Sequence, residues 1–121
     1  MIQGLRTAIY PVSDLERGKT WYSRLLGKEP YFDEPYYVGY SVGGFELGLI
    51  PDGTPGQQGV NVYWGVADAA AEVRRIEGMQ VRVHEALKDV GDGIKVASFL
   101  DPFGNIFGII ENSHFDPKAV R

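Results

Sequence analysis

The 121-residue chain contains no cysteine, which excludes disulfides, thiolate metal ligands and a cysteine nucleophile. Histidine is nearly absent as well: His84 and His114 are the only two, so material for imidazole catalysis or an imidazole-rich metal centre is scarce. No apolar run approaches the length of a membrane span and no secretory leader pattern opens the chain, so the expected setting is the cytoplasm, with no membrane partner. Basic residues do not cluster. Twelve Lys and Arg are scattered among sixteen Asp and Glu for a net charge of −4, which leaves no cationic stripe for nucleic acid. What is present is the composition of a globular protein, 44% hydrophobic and 23% charged, at a length that suits one domain over residues 1–121.

The clearest helical signal is SDLERGKTWYSRLLG, residues 13–27. Ser13 stands three residues before Glu16 as a capping box, Leu15, Gly18, Tyr22 and Leu25 recur at helical spacing, and Gly27 follows the last turn. LRTAIYPV precedes it as a strand closed by Pro11. EPYF, YYVGYSV and FELGLI follow as three more, with turns at Asp33-Glu34-Pro35 and Gly43-Gly44. PDGTPGQQG, residues 51–59, reads as a linker, after which the order restarts. VNVYWGV is a strand, Asp68 caps a helix carrying Ala69, Val73 and Ile76, and MQVRVH alternates as a strand. EALKDVGDG reads as a polar loop, and IKVASFL and NIFGIIE are two strands around the turn DPFGN. The chain is thus α+β: two βαβββ modules at about 4–50 and 60–111, with a tail at 112–121. YPVSDL at 10–15 is echoed by WGVADA at 64–69.

Val12-Ser13-Asp14-Leu15, the helix end Trp21-Tyr22-Ser23-Arg24-Leu25-Leu26-Gly27 and Asp101-Pro102-Phe103-Gly104-Asn105 together resemble the vicinal oxygen chelate superfamily, the glyoxalase, bleomycin-resistance and extradiol-dioxygenase group. The resemblance covers residues 4 to 111. It implies a cup-shaped mixed sheet built by paired modules, helices outside, a small-molecule site inside and a homodimer. Metal-dependent relatives carry His or Gln, Glu, His or Gln, and Glu at four positions, which the resemblance places here on Thr7, Glu46, Asn61 and Gly108. Only Glu46 is a good ligand in that set. No metal and no cofactor are therefore expected.

Two-residue periodicity sorts the strands on its own terms. In FELGLI, Phe45, Leu47 and Leu49 oppose Glu46 and Gly48; in NIFGIIE, Phe107 and Ile109 oppose Ile106, Gly108 and Ile110. Ala8 and Tyr10 oppose Thr7 and Ile9, and Val62 and Trp64 oppose Asn61 and Tyr63. The apolar sets should meet the helices, leaving Thr7, Glu46, Asn61 and Gly108 on the open faces. Glu46 is the only candidate general base; otherwise it anchors a ligand or is a solvated carboxylate. Asn61 and Tyr63 are placed to bind a ligand or to satisfy one another. Tyr36, Tyr37 and Tyr40, beside Gly39, form either a stacking wall or strand filler. Trp21, Tyr22 and Trp64 read as core. Ligand-binding candidates are Thr7, Tyr40, Glu46, Asn61 and Tyr63. The leading expectation is a metal-independent protein that binds a small organic ligand. The alternatives are a lyase, isomerase or dioxygenase with an atypical metal site, or a non-catalytic dimeric interaction protein.

Overall fold

In the computed structural model, Met1 and residues 3–120 are described. The chain divides into two compact units between Gly56 and Gln57, inside the Gly/Pro-rich stretch.

The first module runs β1 (Thr7–Pro11), α1 (Leu15–Leu26), β2 (Phe32–Glu34), β3 (Tyr37–Val42) and β4 (Phe45–Ile50). Its sheet has the order β1-β4-β3-β2, with β1 parallel to β4 and the other pairs antiparallel. The helix is capped by Asp14, whose carboxylate accepts from Arg17 N, and not by Ser13 as the capping-box pattern suggests. Asp is as good a cap as Ser, and the chain simply enters the helix one residue later. Gly27 closes it in the left-handed conformation. The stripe Gly18, Tyr22 and Leu25 is buried as the spacing predicts. A Cβ on Gly18 would lie 3.0 Å from Val12 Cγ2, which shows how closely the helix approaches the chain leaving β1. Ala8, Tyr10, Val38, Leu47 and Leu49 complete this core; each fully buried Leu contributes about 1.5–3 kcal/mol. Gly43 and Gly44 take positive φ values of 58° and 89°, the signature of a two-residue hairpin between β3 and β4. The β2–β3 turn falls at Pro35-Tyr36, because Asp33 and Glu34 are themselves in β2.

The second module repeats the plan: β5 (Tyr63–Gly65), α2 (Ala69–Glu77), β6 (Arg82–Gly91), β7 (Ile94–Leu100) and β8 (Ile106–Glu111), in the order β5-β8-β7-β6. Its core holds Ala69, Ile76, Ala97, Phe99, Leu100, Phe107 and Ile109, and Trp64 stacks on Phe107 at 6.3 Å between ring centroids. The segment EALKDVGDG is not a loop. It forms most of β6, the ten-residue edge strand, whose register with β7 shifts at three places. Asp92 and Gly93 have φ of 55° and 75° and make a tight hairpin into β7. The expected strand VNVYWGV shrinks to Tyr63–Gly65, so Asn61 precedes it. DPFGN is a buried turn. Asp101 accepts from the backbone of Phe103 and Asn105 with one oxygen and from the Asn105 amide with the other, each at 2.9 Å. Neither helix is long and apolar enough to cross a membrane.

Candidate functional site

Sheet register brings one face of the first module together. Thr7 pairs with Glu46, which pairs with Ser41; in the next row Ile9 pairs with Gly48, Gly48 with Gly39, and Gly39 with Phe32. The period of two therefore sets Thr7, Ile9, Phe32, Tyr37, Gly39, Ser41, Glu46 and Gly48 opposite the helix-covered face. The two central glycines leave a side-chain-free floor.

Over that floor lies Tyr37. A Cβ on Gly48 would fall 2.1 Å from Tyr37 Oη and 2.6 Å from its Cζ, so the glycine is what lets the ring lie flat across the strand. At its tip Tyr37 Oη donates to Glu46 Oε2, and Tyr31 Oη donates to Glu46 Oε1. Tyr31 is itself tied down by its backbone N–H to Gly39 O at 3.0 Å. The lone carboxylate in an apolar strand thus has two phenol partners, which satisfy a half-buried charge without an ion pair. Burial foremost, then the hydrogen bond to Glu46 and its charge, pushes the Tyr37 phenol far above the usual tyrosine range. The Tyr31 phenol is raised mainly by its hydrogen bond to Glu46. Phe32 extends the cluster, its ring centroid 6.0 Å from Tyr37 and 6.1 Å from Tyr36, both edge-to-face.

Each module holds its own sequence candidates. Thr7 and Glu46 share one row. Tyr40 does not join them: it is wholly buried on the helix side, where its Oη donates to Lys19 O and shares a hydrogen bond with Ser23 Oγ. As part of a ligand wall Tyr40 is a misassignment, since its parity is that of Val38 and not of Tyr37. Burial raises its phenol as well, opposed in part by Ser23. In the second module Tyr63 is exposed and pairs with Gly108, where a Cβ would lie 2.7 Å from Tyr63 Cδ1 and 2.6 Å from Val62 O. Asn61 is exposed outside any strand. Glu111 serves α2: its carboxylate accepts from Ala69 N at 2.8 Å, a second cap beside Asp68, which accepts from Ala71 N. Tyr31 and Phe32 were missed by sequence reasoning. Phe32 could have been found, since it shares parity with Gly39 once β2 and β3 are paired. An open recess around α1, lined by Lys19, Thr20, Ser23, Arg24, Gly27, Lys28 and Glu29, does not include Glu46.

The donor set does not fit a divalent catalytic metal. Such an ion needs three or more strong donors with positions left open for substrate. On the Glu46 face of the first module each Glu46 oxygen already accepts from a phenol, and Thr7 in the same row is a weak neutral donor. Among the described residues no three or more His, Asp or Glu side chains converge on one point.

Residues 4–109 match the family model described as Glyoxalase/Bleomycin resistance protein/Dioxygenase superfamily. Solved structures agree in fold. A fosfomycin resistance protein from Listeria monocytogenes superposes with a TM-score of 0.79 at 14% identity, over 94% of this chain and 97% of that one. A lactoylglutathione lyase from Agrobacterium tumefaciens gives 0.76 at 19% identity, over 94% and 98%. A glyoxalase/bleomycin resistance protein from Catenulispora acidiphila gives 0.70 at 23%, over 90% and 99%. No curated protein sequence matches significantly.

Proposed function

Because the chain belongs to the Glyoxalase/Bleomycin resistance protein/Dioxygenase superfamily, we propose that it is a small-molecule-binding protein that works without a metal and holds its ligand on the Glu46 face of the first module. The observation that carries this reading is the pairing of Glu46 with Tyr31 and Tyr37 above the glycine floor, one phenol on each carboxylate oxygen. A metal could still take a remaining lone pair of that carboxylate, but among the described residues no group of three or more His, Asp or Glu exists to complete its shell. A fixed carboxylate flanked by the Thr7 and Ser41 hydroxyls and by aromatic rings is instead the mixture of few polar groups and apolar wall that ligand sites use. The reading extends to a homodimer in the cytoplasm, with no nucleic-acid or membrane partner.

Native mass spectrometry of protein purified without chelator tests it, together with a fragment screen read on the backbone amide signals of Gly39 and Gly48. The expected result is a metal-free dimer in which some fragments move those two amides. A stoichiometric divalent metal would overturn the metal-free reading, and fragments that bind only elsewhere would overturn the site.

A further inference from the structure

This inference rests on the reading that the Glu46 face binds a small molecule. We infer that the molecule is an organic cation carrying a substituted ammonium group, with Glu46 as its counter-charge and the rings of Tyr31, Phe32, Tyr36 and Tyr37 as its wall.

Three observations point there. First, the cluster offers an incoming group almost nothing but electron density. Both phenol protons are committed to Glu46, so the tyrosine oxygens face a ligand with lone pairs, as does what remains of the carboxylate. An anion would meet the Glu46 charge and these lone pairs, with only the neutral Thr7 and Ser41 hydroxyls of the same row to set against them. Second, Glu46 has no cationic partner of its own: among the described residues no Lys or Arg forms an ion pair with it, and Lys19 is held by Glu16 and Asp33. The charge is stabilised but not neutralised. Third, four aromatic residues fall within positions 31–37, and two of them, Tyr31 and Tyr36, are each 65% exposed. Phe32 meets Tyr36 and Tyr37 with interplanar angles of 69° and 64°, so these rings do not cover one another's faces by stacking. Aromatic faces beside a carboxylate attract cations through the ring quadrupole as well as through the full charge.

The test is a titration of the full chain with phenyltrimethylammonium and with tert-butylbenzene, its neutral isostere in which carbon replaces nitrogen. The readout is again the Gly39 and Gly48 amides. The cation should bind about tenfold or more tightly than the neutral isostere, and Glu46→Gln should erase most of that preference. Tyr36→Leu, which keeps an apolar surface and removes a ring that makes no hydrogen bond to Glu46, should weaken the cation by about two- to fivefold and leave tert-butylbenzene unchanged. It also serves if Glu46→Gln fails to fold. Equal affinity for the two probes, indifferent to both substitutions, would overturn the cation and leave the small-molecule site standing. Silence of both amides towards every fragment would overturn the site itself. Amide shifts that follow protein concentration would mean a second copy of the chain covers this face, and the inference would fall.

Discussion

A methyl group added at Gly48 and one added at Gly108 make the same chemical change at equivalent places in the two modules, yet they should have different consequences. At Gly48 the obstructing atoms are Tyr37 Oη and Cζ, at 2.1 and 2.6 Å, the far end of a side chain on rotatable bonds. Tyr37 can swing out. It would then give up its hydrogen bond to Glu46, a net loss of about 1 kcal/mol, against about 0.5–1 kcal/mol gained by replacing glycine with alanine in a strand. Gly48→Ala should therefore lie within about 1 kcal/mol of the parent. At Gly108 the obstruction is the Val62 carbonyl oxygen at 2.6 Å and the root of the Tyr63 ring, Cδ1, at 2.7 Å. The Gly108 N–H also donates to that carbonyl, at 3.2 Å, so the methyl group pushes on backbone that the strand pair needs. Since β5 contributes only three paired residues, it has little to hold it against the strain. Overpacking of this kind costs about 1–3 kcal/mol, so Gly108→Ala should be less stable than Gly48→Ala by about 2 kcal/mol, roughly 5–10 °C in Tm at this chain length. Urea unfolding followed by tryptophan fluorescence suits the comparison, because Trp21 and Trp64 report one from each module. Alkaline titration of tyrosinate absorbance adds a second readout: Gly48→Ala should bring the Tyr37 phenol down towards the ordinary range, and Gly108→Ala should not. Equal losses, or an unmoved Tyr37 titration in Gly48→Ala, would refute the reasoning.

Other substitutions probe the same geometry. Tyr31 and Tyr37 have phenols raised above 10.0 in the fold, so their contribution is fully present below about pH 10 and is lost as the pH rises further; Lys19, raised by its hydrogen bond to Asp33, acts in the same direction. Stability should hold to about pH 10 and decline above it, and Glu46→Gln should flatten the tyrosine part of that decline, as unfolding measured across alkaline pH will reveal. Asp68→Ala should cost about 1 kcal/mol through loss of the α2 cap, whereas Glu111→Gln keeps an acceptor for Ala69 N and should cost less than about 0.5 kcal/mol; thermal melts of both separate cap from charge. Asp101→Ala leaves two backbone donors and the Asn105 amide short of their acceptor in a buried turn, and should cost about 3–5 kcal/mol; a loss below 1 kcal/mol by urea unfolding would show that the turn re-pairs.

The order of elements was legible because its signals are local. The Gly43-Gly44 turn, the α1 stripe and the Asp68 cap each depend on neighbours a few residues away, and all three appear where the spacing puts them. MQVRVH announced the start of β6, but its continuation from Glu85 was illegible for a physical reason: its register shifts break the two-residue alternation by which a strand is recognised, so a charged strand reads as a loop. Even there the Asp92-Gly93 pair was a hairpin signal. The two errors at the site differ in kind. Tyr40 could have been sorted correctly by the parity that sorted Leu47, its partner on β4. The Tyr31 contact could not, because Tyr31 precedes β2 and reaches Glu46 across fifteen residues of sequence, a proximity that only the folded sheet creates.

The register also corrects which positions correspond between the modules. Ile9 pairs with Gly48 as Tyr63 pairs with Gly108, so Gly48 and Gly108 are equivalent, and Glu46 corresponds to Ile106. Glu46 is therefore not the first-module counterpart of the fourth metal-ligand position that the family resemblance places on Gly108. At both equivalent positions this chain has glycine, and at both a tyrosine ring from the adjoining strand occupies the space where a side chain would stand: Tyr37 from β3 over Gly48, Tyr63 from β5 beside Gly108. The two modules reach this outcome from opposite neighbours, one antiparallel and one parallel. Restoring a carboxylate at Gly108 alone would thus not rebuild a metal centre. Gly108→Glu must first displace Tyr63 and the Val62 carbonyl, and should lower stability by at least as much as Gly108→Ala while binding no divalent ion in equilibrium dialysis. Tight binding by that variant would show that the other donors were in place all along, and would remove the basis for a metal-free site.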